Sequence, residues 1–173
     1  YEEVDAFIED SNTTAIVMTE SVRGLLGRMQ RLAAVLRNRR LTRGALELNM
    51  PEVKIDLDQS GRVTGAHVVE QTESHQIIEE FMLAANEAVA EKIAGVEGKF
   101  LRRIHPSPDL RKLRQLTEFV SELGFEVESL ESRFELQRLL KISAAEPEKH
   151  AVHYAVLRSL SRAVYAPQEQ GHY

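Results

Sequence analysis

Apolar residues recur along this chain with two periods, and the switches between them divide it into elements. From Ser21 to about Arg40, residues Val22, Leu25, Leu26, Met29, Leu32, Ala33 and Leu36 fall at helical spacing, with Ser21 placed to cap the helix. Gly44 breaks the run, and Ala45 to Asn49 reads as a short extended stretch. Val53, Ile55 and Leu57 then alternate with Lys54 and Asp56, as in a half-buried strand. Asp58-Gln59-Ser60-Gly61 is a turn, and Val63 to Val69 returns as the second arm of a hairpin. Residues 74–93 give the strongest helical pattern. Stepped at about 100° per residue, they separate three faces. Ile77, Ile78, Phe81, Ala85 and Ala88 form an apolar stripe, Glu80, Glu87 and Glu91 point away from it, and His75, Glu79 and Asn86 line one edge.

The flanks are simpler. Val4, Phe7 and Ile8 suit a short amphipathic turn, and Ser11-Asn12-Thr13-Thr14 a loop. Gly95 and Gly98 punctuate a loop before a short strand from Phe100 to Ile104. His105-Pro106-Ser107-Pro108 is extended, because residues preceding proline avoid the helical region. Asp109 caps a helix to Leu123 that buries Leu110, Leu113, Leu116, Val120 and Leu123, and Gly124 stops it. A shorter helix covers Ser132–Lys141, an acidic loop 143–149, and a last helix runs from Pro147 or His150 to Val164. Helices and strands follow in mixed order. The expected class is α+β, mixed helices with a small antiparallel sheet.

Composition narrows the chemistry. Hydrophobic residues are 43% and charged residues 28%, which are globular proportions, and without tryptophan the core rests on Leu, Ile, Val and Ala. The absence of cysteine removes disulfides, thiolate metal sites and cysteine nucleophiles, and it fits a reducing, cytoplasmic compartment. No apolar run approaches the roughly 20 residues that span a bilayer, so no membrane partner is expected. The net charge of −5 makes the chain as a whole a poor non-specific nucleic-acid binder, so any RNA contact needs a local patch. The chain opens on Tyr1 rather than Met, which reads as a fragment.

Several clusters carry possible chemistry. Arg37, Arg39, Arg40 and Arg43 end a helix, where cations complement the dipole or bind phosphate. Asp56 to Gly61 resembles the opening of a calcium loop, but the bidentate position holds His67, so a hairpin turn is the better reading. His150 and His153 lie three apart and share a metal only if a third ligand joins them. Surface histidines are expected instead. No nucleophile elbow, phosphate loop or dinucleotide fingerprint is present. His75, Glu79 and Asn86 put an imidazole, an acid and an amide on one helical edge, which suits a polar ligand such as a ribose or a buried bracing network. On a strand, Arg103 and His105 face one side and suit a phosphate, a carboxylate, or a salt bridge to an acidic helix.

Five segments in order resemble the ribonuclease II / ribonuclease R family of exoribonucleases, with ribonuclease R-like bacterial enzymes the nearer branch. They are Arg43-Gly44-Ala45-Leu46-Glu47, Pro51-Glu52-Val53-Lys54 with its hairpin, and His75 to Asn86. Phe100 to His105 and Leu157 to Tyr173, closing on Gly171-His172-Tyr173, complete the set. The resemblance covers Ser21 to Tyr173 and implies that residues 1–173 are a central part of an RNB-type catalytic domain. It implies a processive 3′→5′ hydrolytic exoribonuclease that releases nucleoside monophosphates from a single-stranded RNA 3′ end, in a monomeric parent. Magnesium would be held by an aspartate cluster that lies before the residues present, so no catalytic residue or metal ligand is expected in this chain and the chain alone is expected to be inactive. OB-type RNA-binding domains flank the catalytic domain in the family.

What the resemblance transfers is RNA contact: Glu79 and Asn86 on the helix edge with His75, Arg103 and His105 on the strand, and His172 of the Gly-His pair. Where relatives place an aromatic that stacks on a terminal base, this chain has Leu48. The alternative is a non-catalytic RNA-binding or protein-interaction relative that retains the scaffold.

Overall fold

Aspartate and serine caps, a few glycines and a leucine-valine core account for most of the architecture. A computed structural model describes residues 1–10, 17–48, 50–96, 100–168, 170–171 and 173. The loop expected at residues 11–14 lies outside the described residues. The elements are α1 (Glu2–Glu9), α2 (Glu20–Thr42), β1 (Glu52–Leu57), β2 (Val63–Val69), α3 (Glu73–Ala94), β3 (Arg102–Ile104), α4 (Leu110–Glu122), α5 (Arg133–Ile142), α6 (Lys149–Ser159) and β4 (Val164–Ala166), with a 3₁₀ turn at Ser143–Ala145. Among the described residues two antiparallel two-stranded sheets, β1-β2 and β3-β4, accompany the helices, so the class is α+β.

The chain divides into two units, Tyr1–Thr42 with Pro51–Gly95, and Arg43–Met50 with Val96–Tyr173. In the first, α2 and α1 pack on α3. Ala33 of α2 is buried, and Leu26, Met29 and Leu36 are half-buried on the same side. Val22, Leu25 and Leu32 stay exposed, so only part of the expected stripe is packed. The hairpin pairs Val53 with Val68 and Ile55 with Ala66, and a bulge falls between Asp56 and Leu57. Its turn is closed by Asp58, whose Oδ1 accepts from the Ser60 amide at 2.8 Å, the Ser60 hydroxyl at 2.6 Å and the Arg62 amide at 2.9 Å. The Ser60 hydroxyl first, then the Arg62 amide, holds the Asp58 carboxyl below its ordinary range. Asp56 pairs with His67 at 2.9 Å. The calcium-loop carboxylates are thus committed to a hairpin. Its apolar side was expected to be half-buried, but Val53, Ile55, Leu57, Val63 and Val68 are exposed.

The second unit holds the main core. The Asp109 carboxylate accepts from the Arg111 amide at 2.7 Å and so caps α4. Gly124, at φ +91°, ends it. Its amide donates to the Ser121 carbonyl at 2.9 Å, and the Phe125 amide to the Val120 carbonyl at 3.0 Å. This paired arrangement is a Schellman cap, which an L residue at the glycine position would strain. The Ser132 hydroxyl accepts from the Phe134 amide at 3.2 Å and starts α5. Leu113, Leu116 and Val120 of α4, Leu136, Leu139 and Leu140 of α5, and Val152 and Val156 of α6 close on Leu130. Each buried aliphatic side chain contributes ~1.5–3 kcal/mol before entropy is counted.

Gly44 sits at φ +90° in the same unit, and a Cβ there would approach a Phe134 ring carbon at 3.2 Å. The Arg43-Gly44 turn therefore requires glycine twice over, for its handedness and for the ring beside it. Gly44→Ala is expected to lower stability by about 1–2 kcal/mol, read from a urea midpoint. Beyond that turn Leu46 and Leu48 pack against the core. Leu48 thus serves as a core side chain where an aromatic was the family expectation.

One element ends earlier than its pattern. The last helix stops at Ser159 rather than Val164, and Leu160 turns extended at φ −70°, ψ 150°. Val164 to Ala166 then pair with β3. No glycine or proline marks that stop, and the strand partner that sets it lies some 60 residues earlier, with Ile104 opposite Val164.

Candidate nucleic-acid interface

The helix edge predicted on α3 exists, but its neighbours differ from expectation. Glu80 was expected to face water. It is 2% exposed. The Arg40 guanidinium grips it, Nη2 at 2.6 Å from Oε1 and Nε at 3.2 and 3.3 Å from the two carboxylate oxygens. The Gln76 amide adds a bond to Oε1 at 3.0 Å. The packed face of α3 therefore runs through Ser74, Ile77 and Glu80. Ile78, Ala85 and Ala88, placed in the buried stripe by sequence, are exposed. The physical reason is that a fork-shaped guanidinium offsets the desolvation of one carboxylate, which hydrophobicity alone cannot foresee. Arg40 also leaves the group of solvated or phosphate-binding arginines expected at the end of α2.

His75, Glu79 and Asn86 lie along one edge of α3 over ~16 Å of helix. The His75 ring is stacked on Tyr1 with centroids 4.0 Å apart and planes 8° apart. Its Nδ1 lies 2.7 Å from the Thr72 hydroxyl. Asp5 of α1 binds the start of α3, accepting from the Ser74 amide at 3.0 Å and the Ser74 hydroxyl at 2.8 Å. Burial raises the Asp5 carboxyl, but the bonds from Ser74 and Thr72 and the His75 charge outweigh it, so its net shift is downward. Glu79 is half-buried, with the Gln76 amide 3.4 Å away, and Asn86 is exposed. Sequence reasoning does not find Tyr1 or Asp5. Both act through tertiary contacts some 70 residues distant, which no local spacing signals.

The second unit carries the other candidates. Arg103 lies exposed on β3, directly across the ladder from Tyr165. His105, two residues on, is half-buried, and its Nε2 meets the Ser161 carbonyl. The His105 carbonyl accepts from the Tyr173 amide at 2.9 Å, and the two rings meet edge to face at 6.5 Å. These two rings, with Ser107, Arg133 and Gln170, line an open cleft of about 410 Å³. The Tyr173 hydroxyl is buried there without a hydrogen-bond partner among the described residues. Burial raises its pKa, and the Arg133 charge opposes the rise. Arg102 is used structurally, donating to the Pro167 carbonyl at 3.0 Å and lying 3.8 Å over the Phe100 ring. His172 lies outside the described residues.

His153, expected at the surface, is 3% exposed inside the core of this unit, whereas His150 is exposed. Burial lowers the His153 pKa most, a hydrogen bond with the Leu140 backbone raises it, and the Lys149 and His150 charges lower it further. The folded protein thus favours the neutral ring. Stability is full above the ordinary value of 6.5 and falls as pH drops below it, because the unfolded chain then binds a proton that the folded chain does not. Melting temperature followed from about pH 7 to pH 5 should decline, and His153→Gln should flatten the upper part of that decline. Among the described residues no three His, Asp or Glu side chains converge to hold a metal ion, so these residues do not fit the magnesium implied by the sequence resemblance. No helix among them is long and apolar enough to cross a membrane.

The RNB domain family matches residues 1–173. The chain is 31% identical to a ribonuclease R of Aquifex aeolicus over 84% of its own length and 21% of that protein. It is 32% identical to a ribonuclease R of Thermotoga maritima over 100% of this chain and 24% of that one. It is also 32% identical to a DIS3-like exonuclease 2 of Schizosaccharomyces pombe over 75% and 14%. Its fold is similar to that of Mycoplasma genitalium RNase R in complex with ribose-methylated single-stranded RNA, with a TM-score of 0.89 at 23% identity over 99% of this chain and 27% of that one. The chain thus spans about a fifth to a quarter of the length of the ribonuclease R relatives it matches.

Proposed function

Since this chain belongs to the RNB domain family of the ribonuclease II / ribonuclease R exoribonucleases, we propose that the protein carrying it hydrolyses single-stranded RNA from the 3′ end and releases nucleoside monophosphates. The observation that carries this reading is the family match over residues 1–173. The chain is the central part of the catalytic domain in this reading. It supplies RNA contacts, and magnesium is held by carboxylates that are not among the described residues. The parent is a monomer in the cytoplasm.

The residues described suit that division of labour. Glu79 presents carboxylate oxygens that accept hydrogen bonds from ribose hydroxyls, the groups by which a protein distinguishes RNA from DNA. Asn86 offers an amide further along the same edge, and the stacked pair of Tyr1 and His75 fixes the ring at its start. Arg103 and His105 serve the phosphate backbone, as does His172 from the Gly-His pair. None of these side chains breaks a bond; they hold and orient the strand. The reading predicts that RNA outcompetes DNA of the same sequence for the protein. It also predicts that Glu79→Gln narrows the preference, because an amide replaces one acceptor with a donor. An unchanged preference in Glu79→Gln removes Glu79 from the ribose contact, and equal affinity for RNA and DNA in the parent counts against the exoribonuclease reading.

A further inference from the structure

The chain is acidic overall, yet the segments that build and flank the β3-β4 ribbon are not. Residues 100–108 and 149–168 contain Arg102, Arg103, Lys149, Arg158 and Arg162 and no aspartate or glutamate, in a chain of net charge −5. These segments carry the positive charge that the chain as a whole lacks. On the ribbon, Arg103 is the Cα partner of Tyr165. Directly opposed residues of an antiparallel pair share one face, with Cβ atoms ~5 Å apart. The other face holds Ile104, which is buried, so the Arg103–Tyr165 face is the outer one. Tyr165 is 69% exposed, more than any other aromatic side chain of the chain.

We propose that Tyr165 and Arg103 form a nucleotide-stacking step for single-stranded RNA, the Tyr165 ring taking a base and Arg103 the adjoining phosphate. The proposal rests on the exoribonuclease reading above and adds a binding residue that the sequence motifs did not single out. The chemistry fits one nucleotide. A ring and a guanidinium across a ladder are separated by about the distance from a base to its own phosphate. Stacking on an aromatic face tolerates any base, as processive movement along a strand requires. The basic residues of these segments attract the phosphate and make the contact sensitive to salt.

These 173 residues contain no tryptophan, so Tyr165→Trp adds an indole reporter at the proposed contact that no other residue of this chain supplies. Because the position is exposed, circular dichroism should show the fold unchanged. Titration with single-stranded oligoadenylate should quench the indole fluorescence with the same midpoint as binding measured by anisotropy of labelled RNA. Tyr165→Ala should bind that RNA about tenfold more weakly, with Tyr165→Phe close to the parent. Added salt should weaken the parent, and Arg103→Gln should reduce that salt dependence. Binding that is equal in the parent and Tyr165→Ala, with the indole emission of Tyr165→Trp unaltered by RNA, would overturn the stacking step while leaving the RNA function intact. Blue-shifted indole emission before RNA is added would show the face covered by protein and overturn it also. Failure of the parent to bind RNA at all would remove both this step and the reading beneath it.

Discussion

With Arg40 replaced by alanine, the protein is expected to lose about 3 kcal/mol of stability. The replacement strands a carboxylate. Glu80 is 2% exposed and takes its ionic partner from Arg40, with Gln76 adding one neutral bond. The attraction between the two ions is largely cancelled by their desolvation while both are present, so the pair itself adds little net stability. Removing one side keeps the desolvation and abolishes the compensation. Arg40 retains 20% exposure, which admits some water and places the effect at the lower end of the range for buried pairs. The reverse single change, Glu80→Leu, should be milder because Arg40 can reach solvent. Arg40→Leu combined with Glu80→Leu should recover most of the loss, since two apolar side chains meet where two ions did. Urea unfolding of these variants beside the parent makes the comparison, and equal midpoints for Arg40→Ala and the parent would mean that Glu80 is hydrated.

The core of the second unit should respond comparably to Leu139→Ala, with a loss of roughly 2–5 kcal/mol. Leu139 is fully buried among Leu113, Leu116, Val120, Leu136 and Val156. Truncation removes the branched end of the side chain from apolar contact and leaves a cavity that the packed helices can close only in part. Leu139→Met, which nearly conserves volume, should cost under about 1.5 kcal/mol. The difference between the two substitutions isolates packing from hydrophobicity. If both variants melt with the parent, the helices do not form a close-packed core.

How much of the fold is legible in the sequence depends on how local each cause is. The hairpin, α4 and α5 are readable because their signals lie inside them: a turn aspartate with glycine, the caps Asp109 and Ser132, and Gly124 with its positive φ. The extent of α3 is readable for the same reason, but its orientation is not. Ile78, Met82 and Val89 lie within about 40° of one another and stay exposed, so apolar periodicity does not mark the buried face, which runs through Ile77 and Glu80 and is selected by Arg40 at a distance of 40 residues. The end of α6 misleads because Ala163 and Val164 continue a helical pattern that pairing with β3 overrides. His153 misleads because three-residue spacing near a helix start does not tell which side the core takes.

The candidate site divides in the same way. Glu79, Asn86 and His75 can be aligned by counting, and Arg103 and His105 by strand alternation. The partners that give these residues a setting cannot: Tyr1 on the His75 ring, Asp5 at the start of α3, Tyr165 across from Arg103, and Tyr173 beside His105. Each joins its partner across more than 60 residues of chain. The family resemblance supplies the functional expectation because five ordered segments carry more information than any one spacing.

The most direct test of the central claim is a time course of 5′-labelled single-stranded RNA with the full-length protein that carries this chain, in the presence of magnesium. The expected result is loss of the full-length strand with accumulation of a short 5′-labelled fragment and few intermediates, and release of nucleoside monophosphates. RNA that is bound but stays intact would contradict it and leave this fold as a binding scaffold.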